Sequence, residues 1–146
     1  MYNFYEIVED NPIIAAVKDM ESIDHCCQEE EIKVVFILFG DVCSIRDIVK
    51  RIKDSGRIAM VHIDLITGLG TKEIAVDFIK KETGADGIIS TKPTLLKRAM
   101  ELKMHTVLRV FLIDSMALET LKTQTYHFPA QVRPFPKGIT YFCTTK

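Results

Sequence analysis

The stretch "MVHIDLITGLG", residues 60–70, decides the architecture. It opens on apolar residues, carries His62 and Asp64 two apart, and stops in a loop punctuated by Gly68 and Gly70. In an extended segment alternate side chains share a face, so Met60, His62 and Asp64 are predicted on one side and Val61, Ile63 and Leu65 on the other. A strand with apolar residues on both faces must be covered on both, which is the situation of a parallel sheet flanked by helices. Polar groups at the C-terminal end of such a strand stand where α/β folds collect their ligands.

Working outward, four more runs share this character: "PIIAAV" (12–17), "VVFILF" (34–39), "GIIS" (87–90) and "TVLRVFLI" (106–113). With "IAMVHI" (58–63) they predict five strands. Between them, "SIRDIVKRIKDSG" (44–56) sets Ile45, Ile48, Val49 and Ile52 on one helical face, with Ser44 as the expected cap and Gly56 as a left-handed stop. The stretch "TKEIAVDFIKKETG" (71–84) repeats the pattern, with Ile74, Ala75, Phe78 and Ile79 inward, Thr71 capping and Gly84 ending it. Two further helices are predicted at "TLLKRAMELKM" (94–104) and "SMALETLK" (115–122), the last capped by Ser115 or Asp114. Strands joined by helices of about 10–15 residues imply right-handed crossovers and an α/β fold. Five such units suit either a flavodoxin-like open sheet or most of a TIM-type barrel. A complete barrel needs roughly 200 residues or more, and the chain has 146.

A hydrophobic content of 47% supports one globular core, and 27% charged residues set the chain apart from disordered sequences. The longest apolar run, Val34 to Phe39, is too short to span a bilayer. The N-terminus "MYNFYEIVED" lacks the basic flank and apolar stretch of a secretory signal, so a soluble, cytoplasmic protein is expected. Cys26, Cys27, Cys43 and Cys143 form no CxxC, which argues for reduced structural thiols rather than a zinc site. No dinucleotide loop, P-loop, GxSxG or HExxH is present.

The net charge of −1 offers no general attraction to nucleic acid. Its distribution is uneven. Residues 1–119 hold fifteen Lys/Arg against twenty Asp/Glu (net −5), whereas residues 120–146 hold four Lys/Arg and no acid (net +4). After Lys122, Pro129, Pro134 and Pro136 exclude a helix, leaving "AQV" or "ITYF" as edge-strand candidates. The expected organisation is a partial βα barrel over 1–122 and a divergent basic tail over 123–146 that is not an independent domain. The abrupt onset of this tail suggests a frameshift or a premature stop following one near codon 122, and an unclosed wall would expose apolar edges suited to pairing with another copy.

Polar residues gather at the predicted strand ends: Lys18 and Asp19, Asp41, His62 and Asp64, Ser90-Thr91-Lys92, and Asp114-Ser115. Arg109 falls inside the fifth run, between Leu108 and Val110, where a guanidinium needs an internal carboxylate or an anionic ligand. Each has a plainer reading. His62 alone suits a hydrogen-bonded interior histidine, Arg109 a buried ion pair with Asp64 or Asp114, Ser90 and Thr91 caps for the helix near Thr94, and Asp19 and Asp41 loop turns. Their convergence on one rim points to a small anionic ligand.

In order and spacing, "NPIIAAVKD", "VVFILFGDVCSIRDIV", "MVHIDLITGL", "GADGIISTK" and "LRVFLIDSMALE" resemble the glycerol-3-phosphate-responsive antiterminator family of bacterial glycerol uptake operons. The resemblance runs from about Asn11 to about Lys122. It implies a TIM-type barrel, here incomplete with about five βα units, that senses glycerol-3-phosphate and binds the leader mRNA of glycerol operons to prevent termination. It implies no catalysis and no cofactor beyond that effector. Carried over residue by residue, the ligand-binding candidates are Lys18, His62, Asp64, Ser90, Thr91, Lys92, Arg109 and Asp114. Arg109 and Lys92 would meet the phosphate, and Asp64 would accept hydrogen bonds from the glycerol hydroxyls. The family's sixth to eighth strands are not recognisable. Two other readings stay open: a TIM-barrel enzyme acting on a small phosphorylated substrate with His62 and Asp64 as acid or base, and a non-functional truncated remnant.

Overall fold

In the computed structural model, which describes residues 4–109, each of the five apolar runs contains a strand. These are β1 (Ile14–Val17), β2 (Val34–Ile37), β3 (Ile58–His62), β4 (Gly87–Ser90) and β5 (His105–Leu108). They pair in parallel in the order β1-β2-β3-β4-β5. Each crossover therefore advances by one strand in one direction, and right-handed connections then place every joining helix on the same face. A flavodoxin-like sheet needs a reversal of strand order to put helices on both faces. Among the described strands the order never reverses, so the winding is that of a TIM-type barrel wall.

Five helices accompany these strands: α1 (Phe4–Asp10), α2 (Met20–Cys26), α3 (Ile45–Asp54), α4 (Ile74–Phe78) and α5 (Pro93–Glu101). One face of the sheet, with Val17, Val35, Ile37, Ala59, Val61 and Ile88, packs against α2 to α5. The predicted stripe of α3 is buried at Ile45, Ile48, Val49 and Ile52, each stabilising by roughly 1.5–3 kcal/mol. Phe36, Met60, His62, Ile89 and Val107 belong to the opposite face by strand alternation, and they are buried as well. Helix α1 reaches that side through Phe4, whose ring stacks on His105 with centroids 5.1 Å apart and planes 22° apart. Burial lowers the His105 pKa, which keeps the stacked imidazole neutral near neutral pH.

Several local expectations are corrected. Ser44 has helical backbone angles and makes no capping bond; Asp41 caps α3 instead, its Oδ1 accepting the Cys43 and Ser44 amides at 2.9 Å each. A carboxylate is the stronger acceptor and adds negative charge at the positive helix end. The Ser44 hydroxyl, then the Ser44 and Cys43 amides, hold the Asp41 carboxyl below the usual range. The helix predicted over 71–84 is shorter, α4 spanning five residues before it widens into a π turn over Ile79–Thr83. Gly56 and Gly84 stop α3 and this turn at φ +81° and +69°. Helices α1 and α2 were not foreseen, although Asp19 caps α2 by accepting the Ser22 amide at 2.7 Å.

In α4, Ala75 and Ile79 are buried and Phe78 packs on the core as predicted, Val76 is buried as well, and Ile74, predicted inward, is 72% exposed. Glu73 rather than Thr71 stands at its N-terminal boundary. Urea denaturation should accordingly find Ile74→Ser within about 0.5 kcal/mol of the native chain, while Ile79→Ala loses roughly 2–5 kcal/mol. A loss for Ile74→Ser as large as that for Ile79→Ala would restore the predicted inward place of Ile74.

Cys26 is buried under α2 with its thiol donating to the Ile23 carbonyl at 3.4 Å, and burial, followed by the neighbouring Cys27, pushes its pKa up to about 11. Such a thiol packs rather than reacts. Among the described residues no helix is long and apolar enough to cross a membrane. The compact unit that carries the sheet ends at Leu108, and Arg109 opens a second one. Asp114, Ser115, the helix predicted at 115–122 and the tail 123–146 lie outside the described residues.

Candidate functional site

Strand β3 ends at His62, and Ile63–Leu65 turn as a single 3-10 coil that lifts Asp64 over the end of β4. Ile63 anchors the turn, being 2% exposed, while Leu65 is open to solvent. Asp64 is thus not on the face of Met60 and His62, as alternation alone predicted, because the strand has already ended.

From the turn its carboxylate gathers the whole "STK" segment. Ser90 Oγ donates to Oδ1 and Oδ2 at 3.0 and 3.1 Å, the Thr91 amide and hydroxyl donate to Oδ2 at 2.7 and 3.0 Å, and Lys92 Nζ lies 3.2 Å from Oδ1. Ser90 Oγ in turn accepts the Lys92 amide at 3.0 Å. Burial of Asp64 opposes its ionisation most strongly, but the Thr91 amide, the Ser90 hydroxyl, Lys92 and the Thr91 hydroxyl together outweigh it and lower the pKa. Asp64 is an anion at any physiological pH. Its side chain is 12% exposed and that of Lys92 is 40% exposed, so the carboxylate is enclosed while the ammonium reaches solvent.

A carboxylate has about four lone-pair sites, and Ser90, Thr91 and Lys92 donors converge on those of Asp64. The Ser90 hydroxyl accepts the Lys92 amide at the boundary of α5, Asp64 holds the Thr91 amide just before it, and Pro93 opens the first turn of the helix.

His62 and Lys18 stand apart from this cluster. Alternation along β4 puts Ser90 with Ile88 on the helix-covered face, whereas His62, paired in register with Ile89, belongs to the opposite one. His62 is 2% exposed there. Lys18 is exposed just past β1, at the same end of the sheet but at its outer edge. Arg109 follows β5 instead of lying within it, since that strand ends at Leu108. Among the described residues, then, Asp64, Ser90, Thr91 and Lys92 form one hydrogen-bonded cluster.

Beside this site the loops after β2 and β3 are tied together. Thr67 donates its amide to the Gly40 carbonyl and accepts the Val42 amide, both at 3.0 Å, forming a parallel bridge with Asp41. Gly40 and Gly68 adopt φ +112° and +92°, and a Cβ on Gly68 would press on Val42 at 3.1 Å. Sequence reading passed over this link because no motif joins residues that far apart.

The family model described as glycerol-3-phosphate responsive antiterminator matches residues 13–141. The chain belongs to this family. The match runs past Lys122, where the resemblance read from the segments alone was expected to end. The chain is 39% identical over 118 residues to the Escherichia coli K12 protein YgcP, a span that covers 81% of this chain and 61% of the relative. Two crystal structures are similar to it. A glycerol uptake operon antiterminator-related protein from Thermotoga maritima aligns at 38% identity and a TM-score of 0.72, over 80% of this chain and 65% of that one. The glycerol uptake operon antiterminator regulatory protein of Listeria monocytogenes aligns at 27% identity and a TM-score of 0.74, over 78% and 61%. The chain therefore spans about three fifths of the length of the relatives it matches.

Proposed function

We propose that the chain is a cytoplasmic, non-catalytic regulator that binds glycerol-3-phosphate and, through the leader mRNA of glycerol-utilisation genes, controls transcription antitermination. Family membership supports the effector and the regulatory role. The observation that carries the proposal to particular residues is the half-exposed ammonium of Lys92, held at the C-terminal rim of the wall by the Asp64 cluster. On this reading Lys92 receives the phosphate and the Thr91 hydroxyl lies beside it, with Asp64 and Ser90 positioning both. Lys18, His62, Arg109 and Asp114 complete the proposed ligand set. The exposed strand β1 at the sheet edge suits pairing with a second copy.

Titration calorimetry with glycerol-3-phosphate, glycerol and inorganic phosphate tests the effector half. Tight binding of the ester, weak binding of phosphate and none of glycerol are expected, with loss of at least tenfold in affinity for Lys92→Met, since one charged contact contributes on the order of 1.5–3 kcal/mol. Filter retention of a glycerol-operon leader RNA, with and without the ester, tests the other half. An ester that binds no better than glycerol removes the effector, and turnover of it would establish the enzyme reading instead.

A further inference from the structure

The donors that would cradle a phosphate at the start of α5 are already in use. The nine-residue helix begins at Pro93, and just before it the Thr91 amide, two hydroxyls and the Lys92 ammonium all converge on one carboxylate. We infer that Asp64 is an internal competitor at this position: an effector's phosphate must draw Lys92 away from it, so Asp64 sets the affinity threshold and favours dianionic phosphate esters over singly charged anions. The inference rests on the effector reading proposed above. Lys92 is the partner free to exchange, because its side chain is 40% exposed and touches Asp64 through Nζ alone. Asp64 stays behind, enclosed and still held by Ser90 and the Thr91 amide and hydroxyl. A bound phosphate then faces a like charge beside its only cation in the cluster. A second negative charge on the ligand strengthens its pull on the ammonium, which a monoanion cannot match against Asp64.

The sign of one substitution separates competition from simple positioning. Asp64→Asn keeps the shape and one acceptor oxygen but removes the opposing charge. Calorimetry on the full chain should show it binding glycerol-3-phosphate roughly tenfold more tightly than the native protein, the scale of a removed like charge at close range. Its thermal midpoint should fall at the same time. Asp41→Asn, the same change of charge on the neighbouring loop, should leave affinity within about twofold, as expected for a screened, exposed group. Asp64→Asn binding equally or more weakly overturns the inference while leaving the effector reading standing, and an equal gain in Asp41→Asn reduces it to a net-charge effect. Failure of every form to bind the ester removes the effector reading and the inference with it. A measurement on the native chain covers the case in which the variant does not fold. Saturating glycerol-3-phosphate should raise the Asp64 carboxyl pKa, followed by carbon NMR, because Lys92 leaves and a dianion arrives; an unchanged or lower value overturns the competition.

Discussion

Gly87→Ala should cost about 3 kcal/mol or more, near the top of what forced overpacking costs, and will leave little soluble protein on expression. A Cβ at this position would stand 2.4 Å from the His105 carbonyl oxygen and 2.6 and 2.7 Å from Met60 Sδ and Cε. The methionine end can bend aside, although Met60 is fully buried and has little room. The carbonyl cannot, because His105 is paired with Gly87 in the β4–β5 ladder and its strand would have to move with it. A domain stable by only 5–15 kcal/mol loses a large share in that shift. Gly70→Ala is the matched control, since a Cβ there meets nothing within 4 Å. Urea denaturation of both variants checks the result, and a Gly87→Ala within 1 kcal/mol of the native chain would show that the ladder yields more easily than its packing implies.

Gly87 also illustrates which parts of the fold were legible. The run "GIIS" announces a strand through its β-branched residues, and nothing in it says that the glycine is there because two neighbouring strands leave no space for a side chain. All five strands were readable because strands buried on both faces are written as continuous apolar runs. Helix α3 was readable because its buried stripe is four residues deep on one face. Helix α2 was not, since it buries only Ile23 and Cys26, too few apolar positions over seven residues to show a stripe. In α4 the inward places of Ala75, Phe78 and Ile79 were readable, and Ile74, the first residue of the helix, is the one predicted inward that stands outside.

For the site, residue types were legible and their relations were not. A hydroxyl pair and a lysine after a strand, "STK", stand out against an apolar background, as does an aspartate two residues after a buried histidine. Strand alternation then put His62 and Asp64 side by side. The 3-10 turn breaks that alternation one residue before Asp64 and hands the carboxylate to a segment 26–28 residues later in the chain. Local sequence carries no sign of a carboxylate supplied from another loop, in contrast to Asp19 and Ser22, which lie three residues apart on one helix start.

The second large effect follows from that hand-over. Asp64→Ala is expected to destabilise the chain by roughly 2–4 kcal/mol at pH 7, because each buried donor left without an acceptor costs about 1–3 kcal/mol and water can reach only some of them. Ser90, fully buried, loses both of its carboxylate contacts, and the Thr91 amide loses its acceptor. The exposed Lys92 recovers hydration and contributes little to the loss. The pH dependence has a definite sign. The folded-state pKa of Asp64 lies below its ordinary value of 3.8, so its contribution is present in full above the unfolded pKa and is lost as pH falls through the folded one. The stability gap between native chain and variant should therefore be flat from pH 7 down to about 5 and narrow below about pH 4. It narrows without closing, because a protonated Asp64 still accepts from the Thr91 amide. Urea titrations at pH 7 and pH 3 measure the gap directly. A gap unchanged at pH 3 would mean that the charge of Asp64 is irrelevant to the segment it gathers, and a gap under 0.5 kcal/mol at pH 7, the range of an ordinary surface substitution, would mean that the segment holds its conformation without it.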